Sequence, residues 1–147
     1  MIITLCGSIA HIDRMIECQK ILQMAGHVVH IPAYVPKDQD GNTMTPKEFY
    51  RIRKSGNMDV SWFEEEKAKA MRRHFDLIAG SDAILVVNKE KNNIAGYIGG
   101  NTLMEMGLAF HLKKKIYLLQ AIPELSYKEE IIGMRPVILG GDINKIG

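Results

Sequence analysis

Asp82-Ala-Ile-Leu-Val-Val-Asn88, Gly96-Tyr-Ile-Gly-Gly-Asn-Thr102 and Leu103-Met-Glu-Met-Gly-Leu-Ala-Phe110 follow one another, with a polar loop after the first. The first segment is short, apolar and β-branched, the pattern of a strand buried on both faces. The third is apolar on nearly every side and reads as a buried helix over 102–112. The middle is a glycine-rich turn. Strand, glycine turn and helix start is the place where an open α/β sheet binds its ligand. Glu105 is expected in the first turn of that helix and is the carboxylate with the best claim to chemistry.

Outward from this stretch the same alternation repeats. Ile2-Ile-Thr-Leu-Cys6 is a buried strand, and Gly7-Ser8 a turn. Met15, Cys18, Leu22 and Ala25 mark one face of a helix that Gly26 stops. His27-Val-Val-His-Ile31 is a second strand, so the opening is a strand–helix–strand unit with a right-handed crossover. Residues 32–45 are a loop rich in turn formers. Thr45, Pro46 and Glu48 give an N-cap, a first-turn proline and a capping box for a helix ending near Ser55-Gly56. Ser61 and Glu64 predict a second capping box, opening a helix through Ala79 that Gly80 ends.

Past the central stretch, Lys113-Lys-Lys115 suits a helix C-terminus. Ile116-Tyr-Leu-Leu119 is a fourth strand. Ser126 and Glu129 predict a capping box for a short helix stopped by Gly133. Pro136-Val-Ile-Leu139 fits a fifth, edge strand. The expected fold is a single α/β domain over residues 1–147, a doubly wound parallel five-stranded sheet of flavodoxin-like order 2-1-3-4-5. That order brings Gly7-Ser8 beside the 96–102 turn.

Composition narrows the function. With 46% apolar and 24% charged residues the chain is globular, and a net charge of +2 argues against a nucleic-acid polymer or an acidic membrane as partner. No segment has the length of a membrane span, and Cys6 and Cys18 each sit in an apolar pattern, as reduced core cysteines do. A cytoplasmic protein is expected. No Cys/His group has zinc spacing, and His27 and His30 point to opposite strand faces, so no metal is expected.

Glu105 has two readings. Thr102 and Glu105 have capping-box spacing, which would turn the carboxylate back on its own backbone. Alternatively it faces the ligand cleft, where neighbouring donors keep it ionised for attack on an anomeric carbon. His74, on the apolar side of its helix, is either a core histidine or an acid, base or orienting group beside Glu105. Gly96, Gly99 and Gly100 are expected to supply positive φ and close backbone approach. Tyr34, Trp62 and Tyr97 could stack on a base. Lys47, Arg51, Arg53, Lys54, Arg72 and Arg73 read as solvated faces, with a phosphate contact open to any of them.

Cys6-Gly7-Ser8-Ile9, Ser81-Asp-Ala-Ile-Leu-Val-Val87 and Asn101-Thr102-x-x-Glu105-x-Gly107-x-Ala109 together resemble the nucleoside 2-deoxyribosyltransferase family, most closely its deoxynucleoside 5'-monophosphate N-glycosidase branch. The resemblance implies cleavage or transfer of an N-glycosidic bond in a nucleoside or nucleotide, with Glu105 as nucleophile, a covalent glycosyl-enzyme and retention at the anomeric carbon. His74 stands where the family carries an Asp and would orient or protonate. Gly7, Ser8, Ile9, Asn88, Gly99, Gly100, Asn101 and Thr102 would bind the substrate. The resemblance implies no cofactor, and a homodimer or larger homo-oligomer. Gly99-Gly-Asn-Thr-Leu-Met-Glu105 is also similar to the Gly-Gly-x-Gly-Thr-x-x-Glu motif of phosphoribohydrolases of the lysine decarboxylase-like kind. A third reading is a non-catalytic nucleotide-binding sensor.

Overall fold

The computed structural model describes residues 1–32, 37–56 and 60–147. In chain order they form β1 (Ile2–Cys6), α1 (Ile12–Met24), β2 (Val28–His30), α2 (Pro46–Ser55), α3 (Val60–Ala79), β3 (Ala83–Val86), α4 (Gly100–His111), β4 (Lys115–Leu118), α5 (Lys128–Gly133) and β5 (Val137–Ile138). The strands make one sheet in the order β2-β1-β3-β4-β5, with every neighbouring pair parallel. This is the order expected from the alternation of apolar runs and helical patterns.

Two apolar layers hold the sheet. Ile3 and Leu5 of β1 point to one side, with Met15, Cys18 and Leu22 of α1. Cys6, Ile84 and Val86 point to the other, against Ile78 of α3 and Met106 and Ala109 of α4. The two-residue period of a strand buried on both faces thus sends Cys6 toward α3 and α4. The buried Thr4 hydroxyl on that same side lies 2.7 Å from Ser81 Oγ and donates to the Leu77 carbonyl at 3.2 Å, tying the end of α3 to β1. Asp82 closes the other end of β1 by accepting from the Ile2 N–H at 2.7 Å.

Cys6 is level with Val86 in the ladder, so the loops after β1 and β3 leave the sheet side by side. Gly7 makes the first exit: at φ +150°, an added Cβ would lie 3.0 Å from the Val87 carbonyl oxygen and 2.9 Å from Met15 Cε. The Thr45–Glu48 capping box forms in full, with Gly56 left-handed at the end of α2. Phe49 of α2 packs on Trp62 and Phe63 of α3, with ring centroids 5.8 and 6.1 Å away.

Several helix starts differ from expectation. α3 is already helical at Val60, which puts Ser61 inside the first turn. α5 begins after Tyr127, which makes no side-chain cap, so the Ser126–Glu129 box does not form; Gly133 is its last helical residue, and Arg135 takes the left-handed conformation instead. The consequential shift is in α4. Gly99, extended at φ −82° and ψ 171°, is its N-cap, and the Gly99 carbonyl accepts from Leu103 N–H at 2.9 Å. Glycine serves readily at an N-cap, so the chain enters the helix before Thr102. Thr102 is therefore not the cap, no Thr102–Glu105 capping box exists, and Glu105 stands in the second helical turn.

Candidate active site

A cavity of about 340 Å³ opens where the loops after β1 and β3 diverge. The β1 exit contributes Gly7, Ser8 and Ile9; the start of α4 contributes Gly99, Gly100, Asn101, Thr102 and Glu105; α3 contributes Lys67, Ala70, Met71 and His74. Phe49, Tyr50 and Arg53 of α2 close the far wall with Pro32, Lys91 and Tyr97. Gly99 and Gly100 do not have positive φ, contrary to expectation; an added Cβ at Gly100 would meet open space. Their contribution is an uncovered helix start. Gly96 does have positive φ, +67°, and an added Cβ there would sit 2.5 Å from the Ala121 carbonyl oxygen.

Glu105 is 3% exposed. Its Oε1 accepts from Asn101 Nδ2 at 2.9 Å, and Asn101 Oδ1 accepts in turn from Lys67 Nζ at 3.3 Å. The other oxygen, Oε2, has no hydrogen-bond partner among the described residues. His74 Nε2 lies 3.8 Å from Oε1 and 3.6 Å from Cys6 Sγ. Burial pushes the Glu105 carboxyl up to about 8, against smaller downward pulls from the Cys6 thiol and the Lys67 charge. Burial pulls His74 down to about 4, with the Leu5 backbone pulling the other way, and Nδ1 has no hydrogen-bond partner by distance and angle among the described residues. Burial, then the nearby Glu105, raises the Cys6 thiol. At neutral pH all three are uncharged. Desolvation outweighs the donors here, so the carboxyl rests protonated and not ionised as expected.

The rest of the cavity is cationic. Arg53, Lys67 and Lys91 line it, and Glu105 is the one acidic residue of its lining among the described residues. Lys91 Nζ donates to Ser8 Oγ at 3.1 Å and lies 5.4 Å from the Tyr50 ring and 5.8 Å from the Tyr97 ring. Arg53 sits 5.0 Å over the Tyr50 ring. No ion pair joins any of the three cations to a carboxylate among the described residues. Lys67 is held below the usual lysine range by burial and by Arg53.

The residues expected at a site from sequence therefore gather at one cavity, with one exception. Asn88 is buried but lines a different part of the fold: its Nδ2 donates to the Gly96 and Ala121 carbonyls at 3.3 and 3.1 Å, and its Oδ1 accepts from Gln120 N–H at 2.8 Å. It clamps the glycine turn to the end of β4. Of the stacking candidates, Tyr97 faces the cavity, Trp62 donates to the Lys37 carbonyl at 2.8 Å, and Tyr34 lies outside the described residues. Of the basic candidates, Arg53 reaches the cavity and Lys47 pairs with Asp13 at 2.7 Å. Lys67, Lys91 and Tyr50 were not singled out by sequence. Cys6 was read only as core. Its place beside Glu105 follows from strand parity: it falls on the same face as Ile84 and Val86.

No protein-family model matches the chain, and no curated protein matches it. Solved structures do. A 2-deoxyribosyltransferase from the psychrotolerant bacterium Bacillus psychrosaccharolyticus superposes with a TM-score of 0.54 at 15% identity, over 80% of this chain and 71% of that one. A CMP N-glycosidase from Clostridium botulinum superposes with a TM-score of 0.54 at 17% identity, over 99% of this chain and 97% of that one. The family resemblance carried by Cys6–Ile9 and Asn101–Ala109 thus extends to the architecture, and the chain is similar in fold to a 2-deoxyribosyltransferase and to a CMP N-glycosidase.

Proposed function

We propose that the protein cleaves or transfers the N-glycosidic bond of a nucleoside 5'-phosphate, with Glu105 as the nucleophile. The observation that carries this reading is the placement of Glu105: inside its helix, free of any capping duty, at a cavity wall, with one oxygen lacking a hydrogen-bond partner among the described residues. Two structural neighbours act on N-glycosides, as their names state, and agree with it. The three cations, without carboxylate ion-pair partners among the described residues, favour an anionic substrate over a bare nucleoside, because desolvated positive charge is offset most directly by phosphate. Tyr50 and Tyr97 offer ring faces for a base.

The chemistry follows from the resting protonation state. Glu105 acts from its ionised fraction, which grows as pH rises toward about 8, and neutral His74, 3.8 Å away, orients the carboxylate. The carboxylate attacks C1' of the sugar, and the departing base takes its proton from water. Asn101, backed by Lys67, holds the attacking group in place. Water or a second base then opens the glycosyl-enzyme, with net retention. A homo-oligomer belongs to the same proposal, supported by the exposed Met104 and Phe110 on α4 and Leu112 at its C-cap; a monomer in sedimentation would remove it.

The test is a pooled incubation of nucleosides and nucleotides, in ribo and deoxy forms, read by mass for free base. The wild-type chain should release base from phosphorylated members, and Glu105→Gln should lower turnover by about 10³-fold or more. Equal release by both proteins would end the nucleophile assignment; no release by the wild type, with a ligand-induced rise in Tm, would leave a binding protein.

A further inference from the structure

Cys6, His74 and Glu105 lie far apart in sequence, yet β1, α3 and α4 bring their Sγ, imidazole nitrogen and carboxylate oxygen within 4.8 Å of one another. Each side chain is buried. The Sγ–Nε2 separation is 3.6 Å and the Nε2–Oε1 separation 3.8 Å. A tetrahedral zinc ion, with bonds of about 2.3 Å to sulfur and about 2.0 Å to nitrogen, holds such ligands roughly 3.5 Å apart. The Sγ–Nε2 and Nε2–Oε1 separations are close to those of a metal's coordination shell, although 3.6 Å also suits a thiol–imidazole hydrogen bond.

Two further observations point inward. Glu105 Oε2 is buried with no hydrogen-bond partner among the described residues, an uncommon state for a polar atom. His74 and Glu105 also line the cavity, so a fourth position for water opens on that side. Asn101, bonded to Glu105 Oε1, supplies the outer support that metal-bound carboxylates use.

We propose that Cys6, His74 and Glu105 form a binding site for a soft divalent cation of the zinc class, with three protein ligands and a cavity-facing fourth position. On binding, the thiol and the carboxyl each release a proton to solvent. Thiolate, carboxylate and neutral imidazole then meet the dication, and the buried site stays electrically neutral. Sulfur, nitrogen and oxygen donors together suit zinc over magnesium or calcium, which take oxygen. The cation occupies the carboxylate that would attack the sugar, so metal binding shuts off catalysis; this last clause alone rests on the function proposed above.

The test uses the full chain, stripped with a chelator, dialysed and titrated with Co²⁺ and no substrate. The expected result is a near-ultraviolet thiolate-to-cobalt band with strong tetrahedral visible bands, saturating at equimolar metal and displaced by Zn²⁺. Cys6→Ser should lose the near-ultraviolet band, and Cys18→Ser, whose sulfur packs in the opposite layer, should keep it. Glu105→Gln and His74→Asn should each weaken Co²⁺ binding by more than the roughly 10–100-fold that loss of an outer-shell partner costs. Absence of the band in the wild type, its survival in Cys6→Ser, or its loss in Cys18→Ser would overturn the site. If Cys6→Ser does not fold, unchanged Co²⁺ affinity in Glu105→Gln and His74→Asn does the same. Because no substrate is present, a failed titration leaves the glycosidic reading standing, and a failed base-release assay leaves the metal site standing.

Discussion

Replacing Glu105 by Gln should change how stability depends on pH, in a direction opposite to that of a salt-bridged acid. Burial raises the folded-state pKa of Glu105 from 4.5 to about 8, so the folded chain holds this proton more tightly than the unfolded one. The stabilisation is complete below pH 4.5 and is lost as pH rises through about 8. His74 works the other way: lowered from 6.5 to about 4, it costs stability as pH falls below 6.5. At about 1.4 kcal/mol for each pH unit between folded and unfolded values, the two slopes cancel from pH 4.5 to 6.5. Above 6.5 only Glu105 acts, and the wild type should lose about 2 kcal/mol by pH 8. For a chain of this length that is a fall in Tm of roughly 4–8 °C. Glu105→Gln should stay flat over the same interval and lose stability only in acid. Thermal melts of both proteins from pH 4 to 9, in chelator to keep metal off the cluster, decide it. If Glu105 and His74 instead form a charged pair, the variant will be destabilised throughout pH 6 to 8, and the neutral resting site is refuted.

Lys67→Met and Lys91→Met should each raise KM for a 5'-phosphorylated substrate by about tenfold or more, while leaving the parent nucleoside nearly unaffected; steady-state kinetics on the matched pair checks this. Lys67→Met should also move the alkaline rise in kcat/KM to higher pH, since the Lys67 charge pulls the Glu105 carboxyl down. Asn88→Ala should destabilise the fold by about 1–3 kcal/mol in urea, because the Gln120 N–H loses its acceptor, with KM unchanged. AMP assayed against dAMP separates a phosphoribohydrolase, which should demand the 2'-hydroxyl, from a deoxyribosyl enzyme, which should not.

The architecture was readable because the central strands are mostly apolar runs and several helices carry their own start or stop: Thr45, Gly26 and Gly80 sit where the pattern requires them. Glu105 and His74 were readable as candidates, one through its place after a glycine turn and the other as a polar residue on an apolar face. Whether Glu105 serves its own backbone depended on where α4 begins, and Thr102 and Gly99 are both competent caps. Local pattern cannot choose between them. The cations were hidden for a different reason. Lys67 and Lys91 look like any solvated lysine until α3 and the loop after β3 turn them toward one cavity. Asn88 ends a strand at the edge where ligands bind, yet its amide is committed to three loop contacts.

The two-residue beat of β1 links chemistry to counting. Odd-numbered positions face α1, and even-numbered ones face α3 and α4, so the sulfur reaches the carboxyl only while the register with β3 holds. Deleting a single residue upstream of Cys6 within β1, with its end anchored, would exchange Thr4 and the residues before it between layers. A deletion nearer Gly7 would send the thiol into the α1 layer and set a leucine against Glu105. Length changes at the end of this strand are therefore a mutational class of their own: one beside Gly7 would silence the cluster without altering any of its three members.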